Sequence, residues 1–353
     1  MKNALLTSII LILVLVTTGF MVMDKQNRIR KKDLRLSIPA GFPKPVYDRN
    51  LNPPTPNGFI LGRKLFYDPI LSKDSSTSCG SCHQRFAAFA HIDHSLSHGI
   101  RSQIGNRNVP AIQNVIWQPH FMWDGGVNHL DVFPIAPITH PKEMDQDLPG
   151  LLTKLQASKT YPALFKKAFG DGTVSTERML KAIAQFTQML VSVNSKYDRY
   201  VAGKESLTGQ EMTGLILFRN RCSSCHPEPL FTDYSFRNIG LPPDTAIQDS
   251  GRAHITGQAT DRMKFKVPSL RNVEMTYPYM HDGRFRNLQQ VLEHYGKGNF
   301  HGPNVDPDVK LNTGLTRNQR ADLVAFLKTL TDTEFLQDRR FAEPAGEIDA
   351  GGK

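Results

Sequence analysis

The sequence predicts a mainly α-helical protein made of two tandem domains of one plan. Three observations lead there. Residues 109–125 read VPAIQNVIWQPHFMWDG and residues 267–283 read VPSLRNVEMTYPYMHDG, one segment written twice with no gap between the copies. The four cysteines stand as two pairs, in CGSCH at 79–83 and CSSCH at 222–226, one upstream of each copy and each preceded by a related stretch, GRKLF at 62–66 and GLILF at 214–218. Capping boxes lead into helical apolar periodicity, and no run alternates as a half-buried strand would. A length of 353 residues suits about two domains at the usual roughly 100–200 residues each.

The elements follow in order. Residues 4–23 are apolar and uncharged, with Lys2 before them, which reads as an export signal or a membrane anchor within a leader of residues 1–24. The basic cluster Lys25, Arg28, Arg30, Lys31 and Lys32 follows at once. Positive charge prefers the cytoplasmic side, so the cluster favours a cleaved signal over an anchor with the body outside. Residues 25–54, rich in Pro and Asn towards their end, read as an arm or linker. The first domain spans 55–200 and closes on a long helix over 177–200, through Leu180, Ile183, Leu190 and Tyr197. The second spans 201–338, with 201–206 as the junction. Thr208 and Glu211 form the capping box of a helix through Leu215 and Phe218 that delivers the second cysteine pair. Residues 287–295 make a short helix stopped by Gly296. Thr316 and Gln319 cap a last helix through Leu323, Phe326 and Leu327, and 339–353 is a tail.

The cysteines carry the chemistry. Two disulfides, a zinc site or a redox pair would each use Cys79, Cys82, Cys222 and Cys225, but none explains a histidine directly after both pairs. Covalent c-type haem does: two thiols bond the porphyrin and the next residue supplies imidazole to the iron. The chain is thus expected to hold two covalently bound haem c groups in two cytochrome c-like domains, with His83 and His226 as proximal ligands. Such attachment occurs outside the cytoplasm, in keeping with the leader and a periplasmic location. The formal charge of +10 suits an acidic partner or carboxylate-bearing cofactors, and export argues against nucleic acid.

CxxCH, then Arg107-Asn108-Val109-Pro110, Trp123-Asp124-Gly125 and Pro141-Lys142-Glu143-Met144, then a second CxxCH and Pro278-Tyr279-Met280-His281-Asp282-Gly283, together resemble the bacterial dihaem cytochrome c peroxidases and their MauG-type relatives over roughly residues 55–330. The resemblance implies reduction of hydrogen peroxide to water, with electrons supplied singly by a small cytochrome c or cupredoxin. It places electron entry at the C-terminal haem and peroxide at the N-terminal one. A homodimer is compatible with it. It implies that Trp123 passes electrons between the haems and that Glu143 is the acid and base over the peroxidatic iron, while His281 stands behind the second haem. Each residue also has a plainer reading: core packing for Trp123, a solvated loop for Glu143. A glutamine that the family often carries ten residues before the glutamate is Phe133 here.

The distal ligands stay open. The resemblance points to His98, in the loop with His91 and His94, as a switchable cap on the first iron. For the second haem it offers Tyr295, where the peroxidases carry Met and the MauG-type enzymes Tyr. Met280 is the rival, and a core tyrosine is the alternative. A calcium ion between the domains is implied at Asn108, Thr276 and Pro278, which could equally be turn residues. The competing functions are a MauG-type enzyme oxidising a partner protein and a non-catalytic dihaem electron-transfer cytochrome.

Overall fold

The computed structural model describes residues 29–344, so the expected leader and most of the expected tail lie outside the described residues. Eight helices organise them: α1 Pro56–Tyr67, α2 Leu148–Ala157, α3 Tyr161–Phe169, α4 Thr176–Thr187, α5 Lys196–Val201, α6 Gly209–Arg221, α7 Leu288–Lys297 and α8 Arg317–Lys328. Shorter helical turns fill the loops. The strands described are β1 Phe236–Arg237 and β2 Phe265–Lys266, a two-residue antiparallel pair.

Both halves are built on one crossing. In the first, α1 packs on α4. A Cβ on Gly62 would stand 1.8 Å from the Ala182 carbonyl oxygen, so only glycine allows the approach, and Phe66 then meets Phe186 at 5.1 Å between centroids. In the second, α6 packs on α8. Gly214 meets the Asp322 carbonyl, 2.0 Å from where its Cβ would be, and Phe218 meets Phe326 at 5.0 Å. The GRKLF and GLILF stretches thus make equivalent contacts, one in each half. Both expected capping boxes form, Thr208 with Glu211 and Thr316 with Gln319.

The duplicated segments share their backbone. Asn114 and Asn272 are left-handed at φ 56° and 55°, Met122 and Met280 at 66° and 76°, Gly125 and Gly283 at 74° and 66°. Each copy closes on the same bridge, Phe121 with Val127 and Tyr279 with Phe285. Each left-handed asparagine locks the chain after its domain's closing helix. Asn114 N–H donates to Leu190 O at 2.7 Å, and its side-chain oxygen takes Ser192 N–H at 2.8 Å. Asn272 does the same with Leu330 O at 3.0 Å and Asp332 N–H at 2.7 Å.

That lock corrects one expectation. The helix expected over 177–200 is two, α4 and α5. Asn114 holds 190–192 out of helical geometry, and Ser195 with Asp198 then caps a new helix. The helix expected to stop at Gly296 runs to Lys297, because Gly298, at φ 67°, is the left-handed terminator.

The ends of the described chain wrap the first half. Leu34 and Tyr47 from the arm, and Phe335, Leu336 and Phe341 from beyond α8, enter one core with Phe66, Phe89 and Phe186. Leu215, Phe218, Leu323 and Phe326 centre the other half's core. Among the described residues no helix is long and apolar enough to cross a membrane.

Candidate haem sites and the seam between them

Ser78 and Ser81 cap the turn Cys79–Cys82, so both thiols leave one short helix and His83 follows at its end. The chain then turns through left-handed Ala88 and Phe89, bringing the Phe89 carbonyl back to His83 Nδ1 at 2.7 Å. A carbonyl can only accept, so Nδ1 carries the proton and Nε2 keeps its lone pair. Burial lowers the imidazole pKa to about 4, which keeps it neutral. The second site repeats this. Cys222 ends α6, and His226 Nδ1 donates to the carbonyl of left-handed Phe231 at 2.9 Å. Burial lowers its pKa as well. The four cysteines form no disulfide.

These features fit haem. Two thiols one turn apart and a neutral, orientation-locked imidazole are the donor set that c-type attachment needs. Around Cys222, Cys225 and His226 a mostly apolar cavity holds about 2000 Å³ of empty space, its open mouth included.

Tyr295 and Met280 both line this cavity. Burial raises the Tyr295 phenol, and the Cys225 and Cys222 thiols add to the rise, which places its ring beside the attachment point. Tyr295 is absent from the core formed by its helix neighbours Leu288 and Leu292. His281 is buried and stacks on Phe265 at 3.7 Å, with its pKa lowered by burial to about 4.

Glu143 stands at the first site. Its backbone is fixed, its N–H on His140 O and its carbonyl accepting Ile100 N–H at 2.8 Å. Its side chain is half-buried. Burial raises the Cys82 thiol to about 11 and the Glu143 carboxyl adds to the rise, so carboxyl and attachment point are neighbours. Burial likewise raises Glu143 above the usual carboxylate range, with His140 pulling the other way. His98 is close too: Cys82 Sγ reaches its carbonyl at 3.5 Å, and its ring stacks on His94 at 4.0 Å. Phe133 stacks on Phe121 at 5.0 Å and lines the large cavity.

Trp123 lies on the seam between the halves. Its indole N–H donates to Asn108 O at 2.8 Å, and its own carbonyl accepts Lys266 N–H at 2.8 Å. It lines the same cavity as His226. Asn108, Thr276 and Pro278 line that cavity as well. The Asn108 amide N–H is used on Ser95 O at 2.9 Å, which leaves its side-chain oxygen for a hard cation.

Sequence reading gave no role to three cations, of which Arg271 and Lys266 are buried. Arg107 bridges Asp124 at 2.5 Å and Asp249 at 2.6 Å. Arg271 is fully buried on Asp198, and Lys266 is buried at the seam. The sequence signal was position: Arg107 and Lys266 each stand one or two residues before a VP segment, and Arg271 lies within one.

Residues 56–206 match the family model of the di-haem cytochrome c peroxidases. The chain is 36% identical over 308 residues to the methylamine utilization protein MauG of Methylorubrum extorquens, covering 84% of this chain and 83% of that one. It is 37% identical over 277 residues to the cytochrome c551 peroxidase of Nitrosomonas europaea, covering 77% and 79%. Among solved structures it resembles a MauG-like protein associated with microbial copper homeostasis. That match has a TM-score of 0.79 at 30% identity, over 88% of this chain and 99% of the other.

Proposed function

Because the chain belongs to the family of di-haem cytochrome c peroxidases and MauG proteins, we propose that its first half reduces hydrogen peroxide with Glu143 as the proton carrier and that Trp123 joins it electronically to the second half. As a family member it carries two covalently bound haem c groups, acts on hydrogen peroxide and takes electrons from a small redox protein. When bound, the haems supply the iron at which peroxide is cleaved and a second iron that stores an electron.

The residues account for the protons. Each turnover consumes one peroxide, two electrons and two protons and yields two waters. Peroxide must lose its inner proton to bind, and its outer oxygen must gain one to leave. The observation that carries the reading is the half-buried Glu143 carboxyl beside the Cys79–Cys82 turn. Its raised pKa makes it a better proton acceptor than a solvated glutamate and a usable donor afterwards. Phe133 leaves the family's customary glutamine position without a polar group, so more of the proton handling falls on Glu143. The test is steady-state peroxide turnover with a reduced small cytochrome. Glu143→Gln should lose about 10²–10⁴-fold in rate with both haem spectra kept. A loss under about threefold would assign the work elsewhere.

Trp123 is suited to electron passage because its indole N–H is held by the Asn108 carbonyl and its backbone carbonyl by Lys266 N–H, one partner from each half. Half-reduced Trp123→Phe enzyme mixed with peroxide in stopped flow should show slower transfer between the haems with unchanged peroxide binding. Unchanged transfer would reduce Trp123 to packing. His98 is retained as the switchable cap of the first iron, and residues 55–200 and 201–338 as the two domains, although Phe335 and Leu336 at the end of the second pack into the core of the first. Covalent haem attachment supports a periplasmic location.

Tyr295 favours a second reading, a MauG-type enzyme that oxidises a partner protein. A phenolate ligand favours ferric iron and higher oxidation states, whereas a Met ligand raises the potential.

A further inference from the structure

The two copies of the VP segment face each other across a local pseudo-two-fold. Positions correspond at a separation of 158 residues, and Gln113 donates its side-chain N–H to the carbonyl of its own counterpart, Arg271. Asn108 N–H donates to His281 O at 2.6 Å; the counterparts, Lys266 N–H and Trp123 O, pair at 2.8 Å. Applied to the residues expected to hold calcium, the same relation turns Asn108, Thr276 and Pro278 into Lys266, Gln118 and His120. Those three are in contact. The Lys266 ammonium donates to Gln118 Oε1 at 2.7 Å and to His120 O at 2.8 Å. Where one side of the seam offers oxygens to a cation, the other holds its own.

This ammonium is out of balance within the protein. Lys266 is 9% exposed and lines the large cavity with Cys222, Cys225 and His226. It has three donors, and two are spent on neutral oxygens. It forms no ion pair among the described residues. Asp124, the acid that acts on it, already holds Arg107 at 2.5 Å and Gly126 N–H at 3.0 Å. A buried charge persists when paired and hydrogen-bonded, and an apolar cavity with one unspent donor on its wall calls for an anion there. Burial alone draws the amine down to about 7, a further sign that its partner is missing from the polypeptide.

We propose that Lys266 is a built-in carboxylate-binding cation of the seam, and that its ligand is a carboxylate of one of the two haems. The assignment rests on the two-haem reading above. It places a fixed positive charge beside Trp123, where electrons cross. A positive charge favours the reduced haem, so its removal must lower that haem's potential.

The experiment is a spectroelectrochemical titration of both haems in the holoenzyme, for wild type, Lys266→Met and Lys266→Arg, between about pH 6 and about pH 9. Lys266→Met should shift one haem's reduction equilibrium towards the oxidised form by at least about tenfold, about 59 mV for a one-electron couple, while Lys266→Arg stays within about threefold. The haem that moves identifies which carboxylate is held. Asp124, His120, Arg107 and Arg252 also carry or can gain charge here, and Lys266→Met controls for them. A carboxylate partner keeps the ammonium charged, so the gap between wild type and Lys266→Met should persist across the range. Unmoved potentials in Lys266→Met would overturn the assignment, as would a gap that closes as pH rises through about 7. If the potentials stay put while wild type turns over peroxide, only this assignment fails. If wild type shows no turnover, the peroxidase reading fails and the potentials still decide this one.

Discussion

Glu143 owes its chemistry to its place. A glutamate in a PxEM loop could be a solvated side chain, but here its backbone is pinned to Ile100 and its carboxyl sits near buried thiols. Burial raises its pKa, and the sign for activity follows. On the proposed role the carboxylate is the form that takes the peroxide proton, so turnover should fall as pH drops through the Glu143 pKa, a limb lying above the usual carboxylate range. That limb should vanish from the residual rate of Glu143→Gln; if it survives there, another group sets it.

Tyr295 is the residue on which the two enzyme readings divide. If it ligates, Tyr295→Phe should open the second iron to exogenous ligands, and Tyr295→Met should raise that haem's potential and bring in the near-infrared band of Met–iron coordination. Met280→Leu should change little. If Met280→Leu alone produces these changes, the ligand is Met280 and the MauG-type reading loses its support. The cavity admits either residue, because left-handed Met280 and helical Tyr295 approach it from different elements.

At the scale of elements the helix crossings decide stability. Gly214→Ala would press a Cβ against the Asp322 backbone carbonyl, which cannot swing aside, and should cost about 1–3 kcal/mol by forcing α6 from α8. Gly209→Ala, at the exposed start of the same helix with open space around it, should be neutral or slightly stabilising, by up to about 1 kcal/mol. Denaturant unfolding of the two variants checks the contrast, and equal effects would show that the crossing has slack. The paired glycines were legible as repeated letters, and the capping boxes as helix starts, because both are local signals. The break between α4 and α5 was not. Met189, Leu190, Val191 and Val193 keep an apolar pattern through it, and what stops the helix is Asn114, far away in sequence. Lys266 was illegible for a similar reason. A lysine in sequence reads as solvated, and only the pairing of two distant segments buries it.

On the scale of the whole molecule, the two domain locks touch. Ser192 Oγ donates to Asp332 at 3.0 Å, and Asn272 donates to both Ser192 Oγ and Gln113. Beside them Arg271 reaches every part. Its guanidinium makes two bonds to Asp198 at 2.8 and 2.7 Å, donates to Pro229 O at 2.9 Å, and lies 4.7 Å from the ring of Phe42 in the arm. Relative placement of the halves, and hence of Trp123, depends on this buried knot. By itself burial would raise the Asp198 carboxyl, but Arg271 outweighs it and holds the pKa below the usual value. The wild-type contribution is therefore present above the unfolded pKa of about 3.9 and lost as pH falls through the lower folded value. Arg271→Met inverts the sign. Asp198 is left buried without its cation, its folded pKa rises above the unfolded one, and the variant loses stability as pH climbs. At neutral pH the variant should be less stable by about 3–5 kcal/mol, the range for breaking a buried pair from one side. Near pH 4 that gap should narrow, because the variant's carboxyl is then neutral while the wild-type contribution begins to decline as the unfolded chain takes up its proton. Unfolding curves across this range test the account. A gap of constant size would mean that Arg271 acts by packing against Phe42 and Phe231 rather than by its charge.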